Sequence, residues 1–313
     1  MASYNQTWFS IQGFRVTSPL QLCVFSLLLL VYVFSILVNM LIIIIITLHQ
    51  HLQTPMYFFL RNLAILDMSL SSCTLPKLLV IFASGDESIS FSGCMLQLYF
   101  YISVGSIVFY TLGLLSLDRY IAICHPLRYN TLLPIQLCRK LVIFAWVFGF
   151  LEFIPMIFLT SELDWCSSNV VIDHFFCDGS TLLHISCSST DVVENIFFWF
   201  ASITILGTFL PTLSSYCFII STILRISSST GRKKMFSTCS SHFIVVSIAY
   251  GCCIFIYVRP AGHFTTRHEK TVAIFNSILA PLLHPLIYTL RNQAVLHGLK
   301  HMLKKLKSID NVV

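Results

Sequence analysis

From Leu22 to Leu48 the chain is one apolar run, and it contains Leu41-Ile42-Ile43-Ile44-Ile45-Ile46. That exceeds the roughly 20 apolar residues needed to carry a helix through the hydrocarbon core of a bilayer. Six further segments share this character: about Met56 to Ile81, Cys94 to Ile123, Leu141 to Leu159, Val192 to Ile226, Phe243 to Val258 and Thr271 to Leu290. The second is the weakest, because Arg61, Asn62, Asp67 and Lys77 interrupt it. Pro155, Pro211, Pro281 and Pro285 do not disqualify their segments, since neighbours re-satisfy the backbone groups that a proline frees in a spanning helix. Composition points the same way. The chain is 56% hydrophobic and 10% charged, with a mean hydropathy of +0.83, whereas soluble domains carry about a quarter charged residues. The expected fold is an all-α membrane protein, a bundle of seven transmembrane helices.

An odd number of spans puts the two termini on opposite sides. Basic residues collect in cytoplasmic loops, and one orientation leaves only Arg15, Lys77, Arg259, Arg267 and Lys270 of the 19 basic residues outside. The N-terminus is therefore expected outside and the C-terminus inside. Residues 1–21 become an extracellular tail, 22–290 the membrane domain, and 291–313 a cytoplasmic basic segment opening with a short amphipathic helix. Asn5-Gln6-Thr7 then places a glycosylation acceptor, Asn5, on the outer side. The first 20 residues lack a charged start and a small-residue cleavage site, so the first span is expected to do the targeting. There is no internal repeat. The longest loop, Ser161 to Asp191, falls outside, and loops of that length tend to be functional or tied down.

Asp118-Arg119-Tyr120 closes the third apolar run. Unpaired charge at bilayer depth costs at least about 3 kcal/mol, so an acid beside a base belongs at the membrane face. Such a pair can hold together in one state and part in another, which is the chemistry of a switch. A solvated ion pair ending a helix is the plainer reading of the triplet alone.

Of the 12 cysteines, Cys94, Cys166, Cys177 and Cys187 face the oxidising side. They read as two disulfides, and spacing does not choose among the three possible pairings. His174-Phe175-Phe176-Cys177-Asp178 contains plausible copper or zinc ligands. A disulfide at Cys177 would remove the thiolate, so a tethered lid is expected there and no metal.

Several landmarks fall in the order of one family. They are Asn39; Pro55-Met56-Tyr57-Phe58-Phe59-Leu60 with Asp67 beyond it; Leu117 to Leu127; Trp146; and Ser215-Tyr216. Lys234-Met235-Phe236-Ser237-Thr238-Cys239-Ser240-Ser241-His242 and Pro281 to Asn292 complete the series. From about Ser10 to Lys300 the chain resembles a vertebrate olfactory receptor of the rhodopsin-like G-protein-coupled class. The Pro-Met-Tyr-Phe-Phe-Leu and Phe-Ser-Thr-Cys-x-Ser-His blocks are specific to odorant receptors, whereas Asp-Arg-Tyr marks only the wider class. The resemblance implies pairings Cys94–Cys177 and Cys166–Cys187. It also implies that Arg119 is held by Asp118 at rest and freed toward Tyr216 on activation. Tyr120, Pro285 and Tyr288 would belong to the same rearrangement, and Asn39, Asp67 and His284 to a polar core. Two departures stand out. His284 replaces the usual Asn before the last-helix proline, and Val108 stands where many relatives carry Glu. Both positions lie near Asp67: losing one acid leaves the site less negative, and His284 could pair with Asp67 directly, which weighs against a sodium ion. A histidine there could instead make activation pH-sensitive, though a neutral imidazole hydrogen-bonded in the bundle is the plainer expectation.

If the third, fifth, sixth and seventh helices line a cavity under the outer loop, helical spacing turns a defined set inward. The third contributes Tyr101, Ile102, Gly105, Ser106 and Phe109, and the fifth Phe200, Ala201 and Thr204. From the sixth come Tyr250, Cys253, Ile254 and Tyr257, and from the seventh Ile274 and Ser277. This set is apolar with a few hydroxyls and no carboxylate, which suits a small, mostly neutral volatile. The polar core is expected roughly two turns away, at about 5.4 Å per turn.

Nothing suggests an enzyme or a cofactor, since His-Glu-x-x-His, Gly-x-Ser-x-Gly and paired intramembrane aspartates are missing. No basic stripe interleaved with aromatics suggests nucleic acid. A transporter or channel is the second reading, weakened by the lack of repeated halves. The leading expectation is an odorant-activated receptor. Its partners are a volatile ligand, the lipid bilayer and a stimulatory heterotrimeric G protein that raises cyclic AMP in the plasma membrane of olfactory cilia.

Overall fold

Five helices in the computed structural model are long and apolar enough to cross a membrane. The structure describes residues 7–13, 18–165, 170–257, 270, 273–291 and 295–300, and Asn5 and residues 301–313 lie outside them. The long helices are α1 (Ser18–Leu48), α2 (Pro55–Ser84), α3 (Phe91–Cys124) and α8 (Asp191–Leu224), with a fifth span over Ile135–Ser161. That fifth span divides into α5 (Ile135–Leu151) and α6 (Ile154–Ser161). Between α3 and α5 lies the short α4 (Tyr129–Leu132), and α7 (Gly179–His184) sits in the long loop. Helix α9 (Ser229–Tyr257) and α10 (Ala280–Arg291) contain shorter apolar stretches, and a π-helical turn, Phe275–Leu279, leads into α10.

The helices form a closed ring. Helix α1 packs on α2, α2 on α3, α3 on α8, α8 on α9, α9 on α10, and α10 returns to α1 and α2, while α5 lies against α2 and α3. Many large apolar side chains face outward, among them Leu22, Leu30, Phe144 and Leu224. Surface of that extent marks an interaction face, and hydrocarbon is the surrounding that suits it. The inward faces carry the polar groups. Trp146 Nε1 donates to Asn62 Oδ1 at 2.8 Å, and Asn62 Nδ2 donates to Thr111 Oγ1 at 3.1 Å, linking α5, α2 and α3.

Proline chemistry explains one buried contact. Pro285 has no N–H to give to the carbonyl of Pro281, four residues earlier. Ser35 Oγ (3.2 Å) and Asn39 Nδ2 (3.1 Å), both on α1, donate to that carbonyl instead. The kink thus creates the acceptor that fixes α1 to α10.

One feature departs from the all-α expectation. The segment β1 (Trp8–Ile11) pairs antiparallel with β2 (Ser88–Ser90) and parallel with β3 (Val170–Ile172), in the order β2-β1-β3. Phe9 stands opposite Ile89 and Val170, and Ile11 opposite Ile172. Phe9, Ile11, Val170 and Ile172 are buried over a second apolar cluster with Cys94, Leu98 and Trp165. Strands of three or four residues are too short to show alternation, and each comes from a different loop. Part of the expected tail is therefore a structured strand. At the opposite end of the chain residues 295–300 are helical, with Val295 buried.

Candidate functional site

Helix α3 carries the site from end to end. Ser90 caps it, accepting from Gly93 N at 3.1 Å. One turn in, Cys94 is bonded to Cys177 of the long loop. Gln97 supports that bond, accepting from Cys177 N at 3.0 Å and donating to the Cys73 carbonyl at 2.8 Å. Phe176 lies on Tyr101, with centroids 4.4 Å apart, and His174 meets Phe176 edge-on at 4.6 Å. Burial holds the His174 imidazole below its ordinary pKa, against the opposing pull of Asp178. Lys270 reaches Asp173 at 2.5 Å, tying the loop to the start of the last helical region. Cys187 is also disulfide-bonded, and Cys166 lies outside the described residues. With Cys177 in its disulfide, no thiolate remains there for a metal.

Beneath this lid is a cavity of about 110 Å3. An apolar cavity of roughly 150 Å3 holds benzene, so the space suits a ligand of a few heavy atoms. Tyr101, Ile102, Gly105, Ser106, Phe109, Ala201, Thr204 and Cys253 line it, as helical spacing predicts. Others of the predicted set lie elsewhere. Phe200 packs against Phe153 with centroids 6.1 Å apart. Tyr250 is buried between Phe109 and Phe209, at 5.1 and 5.3 Å. Ile254 packs on the main core, and the side chain of Tyr257 lies outside the described residues. Ile274 and Ser277 line a separate small pocket shared with Phe175 and Phe176 of the lid. Periodicity identifies which residues share a helix face. It does not show where a loop's aromatic side chains will divide the space before that face.

The lining also contains residues that spacing did not select: Phe153, Phe197, Asn276 and, most consequentially, Asp67 and His284. The polar core is therefore part of the cavity wall, not two turns beyond it, and the expectation of a lining without carboxylate is corrected. The signal was present in Asp67 and His284 themselves, but not the inward tilt that brings them to the cavity. His284 Nδ1 lies 2.9 Å from Asp67 Oδ1 and 3.2 Å from Oδ2, and both side chains are almost wholly buried. Val108 lines the same cavity.

At the far end of α3, Asp118 is fully buried. Arg119 Nη2 and Nε donate to its Oδ2 at 2.5 and 2.9 Å, and Tyr129 Oη donates to Oδ1 at 2.6 Å. Charged donors make this a strong clasp. Tyr129 was not among the expected residues, because α4 brings it back from beyond the helix end. Tyr216 bonds to His242, the last residue of the Lys234–His242 block, not to Arg119. Tyr120 Oη sits 3.2 Å from His125 Nε2. Pro285 is buried, and the side chain of Tyr288 lies outside the described residues.

A disulfide-tethered lid, a small apolar cavity and a charged clasp thus share one helix in a lipid-facing bundle. The family model for olfactory receptors matches residues 28–306. The chain belongs to the olfactory receptor family. The human olfactory receptor 2AP1 is 44% identical over 303 residues, covering 97% of this chain and 98% of that protein. Human olfactory receptors 6C76 and 6C3 are 46% and 45% identical, each covering 96% of both chains. Olfactory receptors are signalling receptors in membranes, not enzymes. The site accordingly needs to hold a ligand and change shape, not to make or break bonds.

Proposed function

We propose that this olfactory receptor is a seven-span odorant receptor with its N-terminus and lid outside. It binds small, mostly neutral volatiles in the cavity under the lid and activates a stimulatory-type heterotrimeric G protein at the clasp end. The output is cyclic AMP, in the plasma membrane of olfactory sensory cilia. One observation carries the reading: α3 connects the cavity wall, from Tyr101 to Phe109, with the Asp118–Arg119 clasp. A ligand that prefers one placement of α3 shifts the population of clasped and open forms by that difference in affinity. In the open form Arg119 exchanges Asp118 for new acceptors, and a cleft admits the C-terminal segment of a G protein. Asp67 and His284 join α2 to α10 in the same wall, so an odorant touching them biases two further helices. With imidazole as the partner of Asp67, the receptor needs no sodium ion there.

The test is a panel of chemically diverse volatiles applied to cells that express the chain. Cyclic AMP that rises only when a stimulatory G protein is present is the expected result. Ligand-gated current without a G protein would instead establish the channel reading.

A further inference from the structure

Where α8 ends and α9 begins the two helices enclose a second hollow, about four turns beyond Ile205 of the cavity wall. It measures about 370 Å3 and is lined by Ile220, Ile223 and Leu224 of α8 and by Arg232, Lys233 and Phe236 of α9. That volume lies in the range of small-molecule sites. Helical geometry decides which way it faces. Thr222 turns toward α3, where its Oγ1 lies 3.2 Å from Cys124 Sγ. Ile220 and Leu224 stand two residues to either side of Thr222, about 200° round the helix at 3.6 residues per turn. They point away from the bundle and are 41% and 65% exposed, and Phe236 is 59% exposed. The apolar surface continues along both helices, with Leu213 two turns before Ile220 and Phe243 two turns after Phe236, both exposed. Arg232 and Lys233 are exposed, and neither side chain has a hydrogen-bond or acidic partner among the described residues. Local charge is one-sided as well. No Asp or Glu occurs between Glu194 and Glu269, whereas Arg225, Arg232, Lys233 and Lys234 fall within ten residues.

We propose that this hollow binds an anionic phospholipid of the cytoplasmic leaflet, with its phosphate on Arg232 and Lys233 and its acyl chains along Ile220, Leu224 and Phe236. The site goes beyond the odorant-receptor reading and takes from it only the orientation that puts these helix ends inside. Cations at a cytoplasmic membrane face attract acidic lipids in general. What makes a site here is the order of the parts: two unpartnered cations where the outward apolar faces end, and a cleft between two helices beside them. A phospholipid has the same order, with its charge at the membrane surface and its hydrocarbon beneath. An anion without hydrocarbon would leave the apolar wall uncovered. A G-protein segment entering the bundle would meet Arg119 on α3, not this outer face. A lipid held here bridges α8 to α9, whose connection is only residues 225–228.

The test titrates purified full-length receptor in detergent, without odorant, and reads binding by native mass spectrometry. The probes are dioctanoyl phosphatidylserine, dioctanoyl phosphatidylcholine and chainless glycerophosphoserine. Phosphatidylserine should bind more tightly than phosphatidylcholine by about twenty-fivefold, about fivefold for each of the two cations, and more tightly than glycerophosphoserine. The double variant Arg232→Gln/Lys233→Gln should lose the preference for phosphatidylserine, and both positions are exposed, so it should fold. Arg139→Gln/Lys140→Gln, which removes two exposed cations at the start of α5, should keep the preference. Phe236→Ser should weaken both lipids alike. Equal affinity for the two lipids overturns the proposal, and an equal loss in the α5 variant reduces the effect to diffuse surface charge and overturns the site. Glycerophosphoserine bound as tightly as phosphatidylserine would make the hollow an anion site and not a lipid site. If the α9 double variant keeps its lipid preference but loses affinity for purified heterotrimeric G protein, the groove docks protein and the lipid assignment falls. An epitope inserted between Ser227 and Ser228 that antibody reaches on intact cells would overturn the orientation, and the choice of leaflet with it. No odorant or cyclic AMP enters the lipid titration, so failure of this site leaves the odorant-receptor reading in place.

Discussion

The two ends of α3 are held in opposite ways. At the lid end one fastening is covalent, the Cys94–Cys177 disulfide, and backbone groups supply the rest through the three-stranded sheet and the two hydrogen bonds of Gln97. At the clasp end Asp118 is held by Arg119 and Tyr129 through side-chain hydrogen bonds alone. A covalent bond has no second partner to turn to, whereas a guanidinium can trade one acceptor for another without losing its charge. Under the proposed function, this arrangement would keep the ligand's entrance in one shape and leave the far end free to switch. Substitutions at the two ends should therefore fail differently: lid variants through assembly, and clasp variants through signalling.

The largest effect is expected at the clasp. Arg119→Ala should abolish odorant-evoked cyclic AMP while surface delivery remains near native. Full signalling from a surface-expressed Arg119→Ala receptor would remove the contrast. Next comes the lid. Cys94→Ser and Cys177→Ser should each impair maturation, since losing a native disulfide typically costs about 2–5 kcal/mol. The double variant should be little worse than either single, because one shared bond can be lost only once. A double variant whose surface level falls by the product of the two single losses would show that the cysteines act separately.

Between the ends lies the Asp67–His284 pair, and its effect should be intermediate. His284→Asn removes the 2.9 Å contact to Asp67 and alters a residue of the cavity wall. Basal cyclic AMP at matched surface expression should shift by a few-fold, the scale of a lost hydrogen bond of about 1 kcal/mol. Because His284 lines the cavity, potency toward individual odorants should shift with it. An unchanged basal level would place the pair outside the path between lid and clasp.

The smallest effect concerns acidity at the lid. His174 is buried with its pKa held below the ordinary 6.5, facing Asp173, Asp178 and Lys270. The unfolded loop takes up a proton more readily than the folded one. Its contribution is therefore present above about pH 6.5 and is lost as the pH falls below it. Thermal stability should drop on acidification in this window, and His174→Gln should flatten the drop. An identical pH profile for both would assign the sensitivity elsewhere.

How far the sequence reads depends on the distance over which each signal acts. Apolar length is a local property, and the spans at Leu22–Leu48 and Cys94–Ile123 lie within a few residues of the helices α1 and α3. Asp118 and Arg119 are adjacent, so their pairing needed no fold. The set from Tyr101 to Phe109 lies on one helix face, and all five of those residues line the cavity. Other features required the chain to return on itself. The sheet assembles segments at 8–11, 88–90 and 170–172, none long enough to announce a strand. Ile274 and Ser277 face a different pocket because Phe175 and Phe176 descend from a loop a hundred residues earlier.

Glu152 shows the division most clearly. In sequence it is one acid in an apolar stretch. Only the break before Pro155, the close approach at Gly149, and the hydroxyls of Tyr110 and Thr204 make it a buried group beside the cavity. Sequence by itself determined the helices, the family and the adjacent charges, because hydrophobicity and neighbouring residues act over a few residues. Tertiary structure alone decided which polar groups share a buried space, because that depends on helix tilt and on loops folded back from far along the chain.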